Sequence, residues 1–454
     1  MFFKPYLEIK PLSKMKKPLH AHIAPNVPSD SKEKKLSLTN ILKNIPSTVM
    51  SPERIEEERR LSRESKARKS EISKKYNEEI SIRTVDPKRN RVETDPTITG
   101  KATLKLCCEI GIDQLCCHYN QDYSLLATGG ADGVVRLYDT PNFDFAKSIR
   151  GGNDTEGFTS CVTCIKHKPV LKPDQIDNHF TFTYVNGIVK CFNYKSKECI
   201  FTINEKRQTY GLAFHPRLNK FVTFGDDLKI NLYDYETQVK ERTFKRSGKK
   251  TVHDGHTSRV FAAQFNPASN AEFLSGGWDN TVFLWDLRQP HGIRYISDVN
   301  LCGEGLDIDQ MGRQVLTCSW RNENPLQLWD YSTFQLIATI TPDDYASRLY
   351  CGRFIGSELI ACGGSNPSTF RVVNKESGKS RVVIANLPSD VYHFDVGKPI
   401  KFSTNQIPTK KKKTSKVMPD EEDHSSEVDL IPVPNIMFLA GGKIYQVKCS
   451  ASAN

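Results

Sequence analysis

The chain has 454 residues, of which 38% are hydrophobic, below the ~45–50% apolar content of a typical globular chain, so part of it is expected to stay outside any packed core. The net charge of +11 is uneven: residues 1–100 hold 22 Lys/Arg against 14 Asp/Glu, while residues 101–454 carry only +3, which argues against a folded domain with one strongly basic face. Thirteen cysteines, an odd number with adjacent pairs at Cys107–Cys108 and Cys116–Cys117, do not make a small secreted disulfide scaffold and suit free thiols in a reducing, intracellular setting.

The first segment, MFFKPYLEIKPLSK, interrupts its apolar residues with Lys and Pro, which predicts no signal peptide. No apolar run approaches ~18 residues, so no membrane span is expected. Residues 1–50 read as an extended or disordered arm with one short amphipathic helix at 37–45. There Leu38, Ile41, Leu42 and Ile45 share one face, Ser37 can cap the start and Pro46 ends the run. This helix either packs on the protein's own surface or docks in a partner's groove.

Residues 51–102 read as a charged helix followed by a linker. Ser51 and Pro52 suit the N-cap and first turn, and Glu53, Glu56, Glu57 and Glu58 crowd the end where the helix dipole favours anions. Glu56–Arg60 and Glu64–Arg68 are ion pairs of i,i+4 spacing. There is no sustained heptad, so no coiled coil is expected. The helix reads first as a solvated charged element. Residues 59–91 also offer a basic surface to nucleic acid or another acidic partner, although the basic run RRLSRESKARKS has no interleaved aromatics to stack on bases.

From about residue 103 short alternating strands begin, and they repeat. One strand recurs as DGVVRLYD (132–139), NGIVKCFN (186–193), DLKINLYD (227–234), DNTVFLWD (279–286), ENPLQLWD (323–330), PSTFRVVN (367–374) and GKIYQVK ending at Lys448. Successive spacings are 54, 41, 52, 44, 44 and 74 residues. A period near ~40–45 residues with four strands per unit is the signature of a propeller. The seventh unit is split. Residues 391–398 supply its first strand, and TLKLCCEI (103–110) is expected to return as its fourth, closing the ring without an open edge. A loop insertion at 397–430 carries KKKK (410–413), a weak nuclear-targeting signal, and then an acidic stretch.

These residues resemble the WD-repeat family over about 103–449. Blade four carries the full pattern, from Gly255-His256 to Trp285-Asp286, and blade five keeps Trp329-Asp330. The resemblance implies an all-β, seven-bladed WD-repeat β-propeller with a partly helical, partly disordered N-terminal extension. It also implies a structural hydrogen-bonded chain through His256, Ser275, Asp279 and Trp285. The stretch FLSGGWDNTVFLWDLR (273–288) is similar to the box by which WD-repeat substrate receptors dock on the cullin-4 ubiquitin-ligase adaptor. That box would place Trp285, Asp286 and Arg288 at the contact, with Arg288 the informative position. Arg288 could equally pair with Asp286 of its own blade.

No phosphate loop, Rossmann fingerprint, HExxH or paired-carboxylate site is visible. Cys161-x-x-Cys164 with His167 lies on an inner strand with no second CxxC, and reads as core thiols rather than a zinc site. The expectation is a non-enzymatic protein–protein interaction scaffold without cofactor or metal, cytoplasmic or nuclear, and monomeric within a larger complex. Two alternatives stay open: a cullin-4 substrate receptor acting through Arg288, and a nucleic-acid-associated factor acting through residues 59–91 and 410–413.

Overall fold

A computed structural model describes residues 95–140, 142–150, 160–170, 177–249, 251–398 and 433–449. Within them the regular structure is all β, in seven antiparallel sheets. The described strands within 114–150, 162–204, 209–244, 260–297, 306–340 and 348–385 form blades one to six. Blade seven is assembled from both ends of the propeller: Val391–Val396, Ile436–Ala440 and Lys443–Cys449, with Ala102–Glu109 as its outermost strand.

The first strands of successive blades pack in a closed cycle, with Val391–Val396 of blade seven against Gln114–Tyr119 of blade one. The sequence texture follows from this geometry. A strand with sheets on both sides is buried on both faces and reads as a continuous apolar run. Thr281–Asp286 is buried throughout. An outer strand meets solvent, and Phe145–Arg150 is mostly exposed.

The cores lie between neighbouring blades. Phe224 and Phe244 of blade three pack with Phe273, Phe283 and Trp285 of blade four. At the closure, Cys117, Leu126 and Tyr138 of blade one pack with Met437, Leu439 and Ile444 of blade seven. All thirteen cysteines are free thiols.

The closing strand pairs Ala102 with Cys449, Leu104 with Val447 and Leu106 with Tyr445, and a bulge follows at Cys107. The backbone N–H of Gly397 donates to the Asn435 carbonyl at 2.7 Å, so the two ends of the long insertion in blade seven meet. One departure from the sequence reading concerns residues 97–100, read as linker. Thr97–Gly100 is a strand that pairs with Ser380–Ala385 and makes blade six five-stranded. Its four residues are all exposed, so no hydrophobic alternation marked it. The chain then crosses to blade seven at Gly100, with φ +97° and the position of a Cβ only 2.1 Å from the Arg381 carbonyl oxygen. Only glycine fits that turn.

Candidate interaction surfaces

Blade four brings together the four residues read as a structural chain. His256 Nδ1 lies 2.8 Å from Asp279 Oδ2, and His256 Nε2 lies 2.7 Å from Ser275 Oγ. Trp285 Nε1–H donates to the same Ser275 oxygen at 2.7 Å. Thr257 N–H and the Thr281 hydroxyl also donate to Asp279, each at 2.8 Å. Burial alone would raise the Asp279 carboxyl. The His256 hydrogen bond and charge override it and hold the group below the ordinary carboxylate range. With Ser275 sealed from solvent, this arrangement fixes the blade and offers no substrate access.

The same arrangement is rebuilt in blade three with other residues, which the sequence reading missed. Thr223 and Tyr233 occupy the register positions of Ser275 and Trp285. The acceptor is Glu205, which takes hydrogen bonds from Thr209, Thr223, Asn231 and Tyr233 at 2.6–2.9 Å. Arg207 bridges Glu205 and Asp227. Blade five keeps one link, from Trp329 Nε1–H to the Thr317 hydroxyl at 3.0 Å. Blade six uses the buried Arg371, bound to Asp343, Thr369 and Ser347. Aligning the second strands as well as the third would have pointed to Thr223 and Thr317.

At the rim of blade four, Arg288 folds back on its own blade. Its Nε–H donates to Asp286 Oδ1 at 2.9 Å and its Nη2–H to Oδ2 at 2.6 Å. The side chain is still 80% exposed. Trp285, grouped with these two as a docking contact in the sequence reading, is fully buried with its N–H committed to Ser275, so it cannot touch a partner directly. Leu38, Ile41, Leu42 and Ile45, the basic segment 59–91 and most of the 397–430 insertion lie outside the described residues.

The central channel differs along its length. Where the first strands of the blades begin, which we term the entry face, it is lined by aromatic rings. Tyr210 stacks on Phe261 at 4.9 Å, Phe261 meets Trp278 at 5.4 Å, and Tyr350 meets Tyr392 at 5.1 Å. Deeper in, a cavity of about 210 Å³ is lined by charged groups, among them Lys166, Glu304, Asp307 and Arg353.

Glu304 of the linker into blade five is bound to Lys166 of blade two and to His393 Nε2 of blade seven at 3.0 Å. Arg353 of blade six is 3.6 Å from Glu304 and 2.5 Å from Asp395. Burial would raise both carboxyls, but the facing cations win and hold Glu304 and Asp395 well below the usual range. Asp307 accepts the N–H groups of Phe354 and Ile308, and burial pushes its carboxyl up to about 6. Among the described residues no three His, Cys, Asp or Glu side chains are placed to hold a metal ion. Cys164 lies beside Glu304, 3.3 Å from its Oε1, and His167 packs on Phe180.

A closed ring of seven antiparallel blades, six of four strands and one of five, with this hydrogen-bonded chain in one blade defines a β-propeller of the WD type. The family model "WD domain, G-beta repeat" matches residues 111–139 and 248–286, and the chain belongs to the WD-repeat family. It is 30% identical to "Histone acetyltransferase type B subunit 2" of Candida glabrata over 37% of this chain and 37% of that one. It is 26% identical to the human "Serine-threonine kinase receptor-associated protein" over 37% of this chain and 53% of the relative. It is 24% identical to the "Periodic tryptophan protein 2 homolog" of Dictyostelium discoideum over 61% of this chain and 28% of the relative. The chain thus covers at most about half the length of these relatives.

Proposed function

We propose that this protein is a non-enzymatic interaction scaffold that holds other proteins inside the cell. The observation that carries the reading is how the propeller uses its polar groups. The interiors of blades three, four and six tie buried polar groups to one another, while cationic and aromatic side chains remain half-exposed at one mouth and Arg288 stands out at a rim. Such a disc is rigid inside and variable at its loops, which suits recognition. Two of the relatives bear names of association, a "subunit" and a "receptor-associated protein". Thirteen unpaired thiols suit a reducing compartment. Quantitative co-purification of the full chain, and of a chain lacking residues 1–94, tests the scaffold. Stoichiometric partners are expected, and their absence from both forms would overturn it.

A second reading is favoured by the exposure of Arg288: docking on a cullin-4 adaptor. The pairing with Asp286 leaves Nη1 and the outer edge of the guanidinium available for a carbonyl or carboxylate. Arg288→Glu should leave circular dichroism unchanged and abolish recovery of the adaptor. Equal recovery with wild type would remove Arg288 from that role.

A further inference from the structure

The entry face holds two arginines whose charge is unmatched. Arg259 of blade four lies over the ring of Trp278, with its guanidinium carbon 5.3 Å from the centroid, and Arg348 of blade six lies over Trp320 of blade five at 4.9 Å. Buried side chains lie between the two pairs. Cys302 lies against Trp278, and the Tyr350 ring meets Trp320 at 6.1 Å. The arginines inside the blades are bound to carboxylates: Arg136 to Asp132, Arg207 to Glu205, Arg353 to Asp395 and Arg371 to Asp343. On the entry face Arg321 likewise pairs with Asp298.

Among the described residues no ion pair forms at Arg259 or Arg348. Arg348 gives its Nε–H to the Asn322 side chain at 2.7 Å. A guanidinium stacked on an indole keeps its charge and directs its N–H donors outward in its own plane. Beneath it, the Trp278 and Trp320 N–H groups are buried, against the Cys302 sulfur and the Tyr350 hydroxyl, in neither case with good hydrogen-bond geometry.

We propose that this arginine–tryptophan ridge across blades four to six binds an extended acidic peptide segment of a partner protein, one carboxylate to each guanidinium. The proposal rests on the scaffold reading and names the face and the partner's chemistry. Planar, pre-positioned guanidinium groups without a carboxylate are matched by acidic side chains. Elsewhere on the same face, Asp226 accepts the Gln208 N–H and Asp390 accepts the Ser368 hydroxyl. Their charges repel an acidic chain and confine it to blades four to six. Single-stranded nucleic acid fits less well, because the indole faces are taken: Trp278 has Arg259 over it and Phe261 tilted against it, and Trp320 has Arg348 and Tyr350.

The test uses the full chain and a random dodecapeptide display library. Enriched peptides, made with a fluorescein label, are measured by anisotropy, with a labelled twelve-nucleotide single-stranded RNA in parallel. Enriched sequences should carry two or more Asp/Glu, and binding should weaken by roughly tenfold in each of Arg259→Ala and Arg348→Ala. Arg288→Ala, at the opposite end of its blade, should bind as wild type. Arg259→Lys and Arg348→Lys keep the charge without the planar stack and serve if an alanine variant loses its circular dichroism.

Enrichment of neutral or basic peptides, no enrichment, or unchanged affinity in the folded variants would overturn the proposal. RNA binding tighter than any peptide and lost in the same variants would also overturn it. Partners that co-purify equally with wild type and with the doubly substituted chain would leave the scaffold standing and reject the ridge.

Discussion

Ser275 serves two partners with one hydroxyl: its proton goes toward His256 Nε2, and its oxygen accepts the Trp285 N–H. Removing either partner leaves a buried polar group unmatched. Trp285→Phe and His256→Ala should each cost about 1–3 kcal/mol, read as a lowered denaturation midpoint, and two unmoved midpoints would show that the chain carries no stability. Glu205 of blade three makes a stronger case. Its side chain is 1% exposed and faces Arg207, itself 5% exposed. Burial would raise the Glu205 carboxyl, but the Arg207 charge and the hydroxyl donors lower it below its ordinary value. Glu205→Gln leaves Arg207 underpaired inside the blade, and the expected loss is about 3–5 kcal/mol at pH 7. A depressed folded pKa means the stabilisation is present above the unfolded value of about 4.3 and is lost as pH falls through the folded value. The gap between wild type and Glu205→Gln should therefore narrow between pH 7 and pH 3 in denaturant titrations. A constant gap would mean that the carboxylate charge is not what Arg207 requires.

Strands differ in how much of the ring depends on them. Ala102–Glu109 closes blade seven, and Leu104 packs on the core shared by blades six and seven. Thr97–Gly100 adds to the outside of blade six and buries none of its four residues. Deleting residues 1–100 should thus leave a cooperatively folding propeller. Deleting residues 1–112 should expose the edge of Lys443–Cys449 and the apolar row behind it, giving aggregation or loss of the transition. A soluble, cooperative 113–454 chain in thermal melts and size-exclusion chromatography would show that the ring does not need its N-terminal strand.

Across the whole molecule, the channel cluster joins blades that share no edge. Glu304 enters blade five, and Lys166 lies on blade two, across the ring. Arg353 continues the network to Asp395, and Asp395 accepts the Tyr119 N–H of blade one at 2.7 Å. Glu304→Gln should cost about 1.5–3 kcal/mol, the range for hydrogen bonds to charged groups, rather than the 3–5 of a sealed pair, because Glu304 remains 24% exposed. Since Glu304 and Asp395 are both held low, their stabilisation is complete at neutral pH and disappears on acidification below the unfolded carboxylate range. Asp307, pushed up to about 6, acts in the opposite sense and favours the folded state when protonated. Thermal midpoints between pH 7 and pH 3 for wild type and Glu304→Gln separate these terms. The variant should lose less on acidification, and parallel curves would mean that the cross-channel tie contributes no charge-dependent stability.

The blade count, the split seventh blade and the polar chain of blade four could be read from residue order. Each is a local pattern: strand spacing, or a GH…WD unit within about one period, repeated along the chain. The polar networks of blades three and six escaped that reading because they use other residue types, Glu205 with Tyr233 and Arg371 with Asp343, for the same task of satisfying a blade interior. The strand at Thr97–Gly100 escaped it because an exposed edge imposes no hydrophobic period. The meeting of Lys166 with Glu304, 138 residues apart, and of Arg348 with a tryptophan of the preceding blade, depends on how seven twisted sheets close around one axis. Periodicity specifies the units of such a ring. Which side chains face each other across it is decided by the closure, because that distance is set by the packing between all the blades and by no segment of sequence alone.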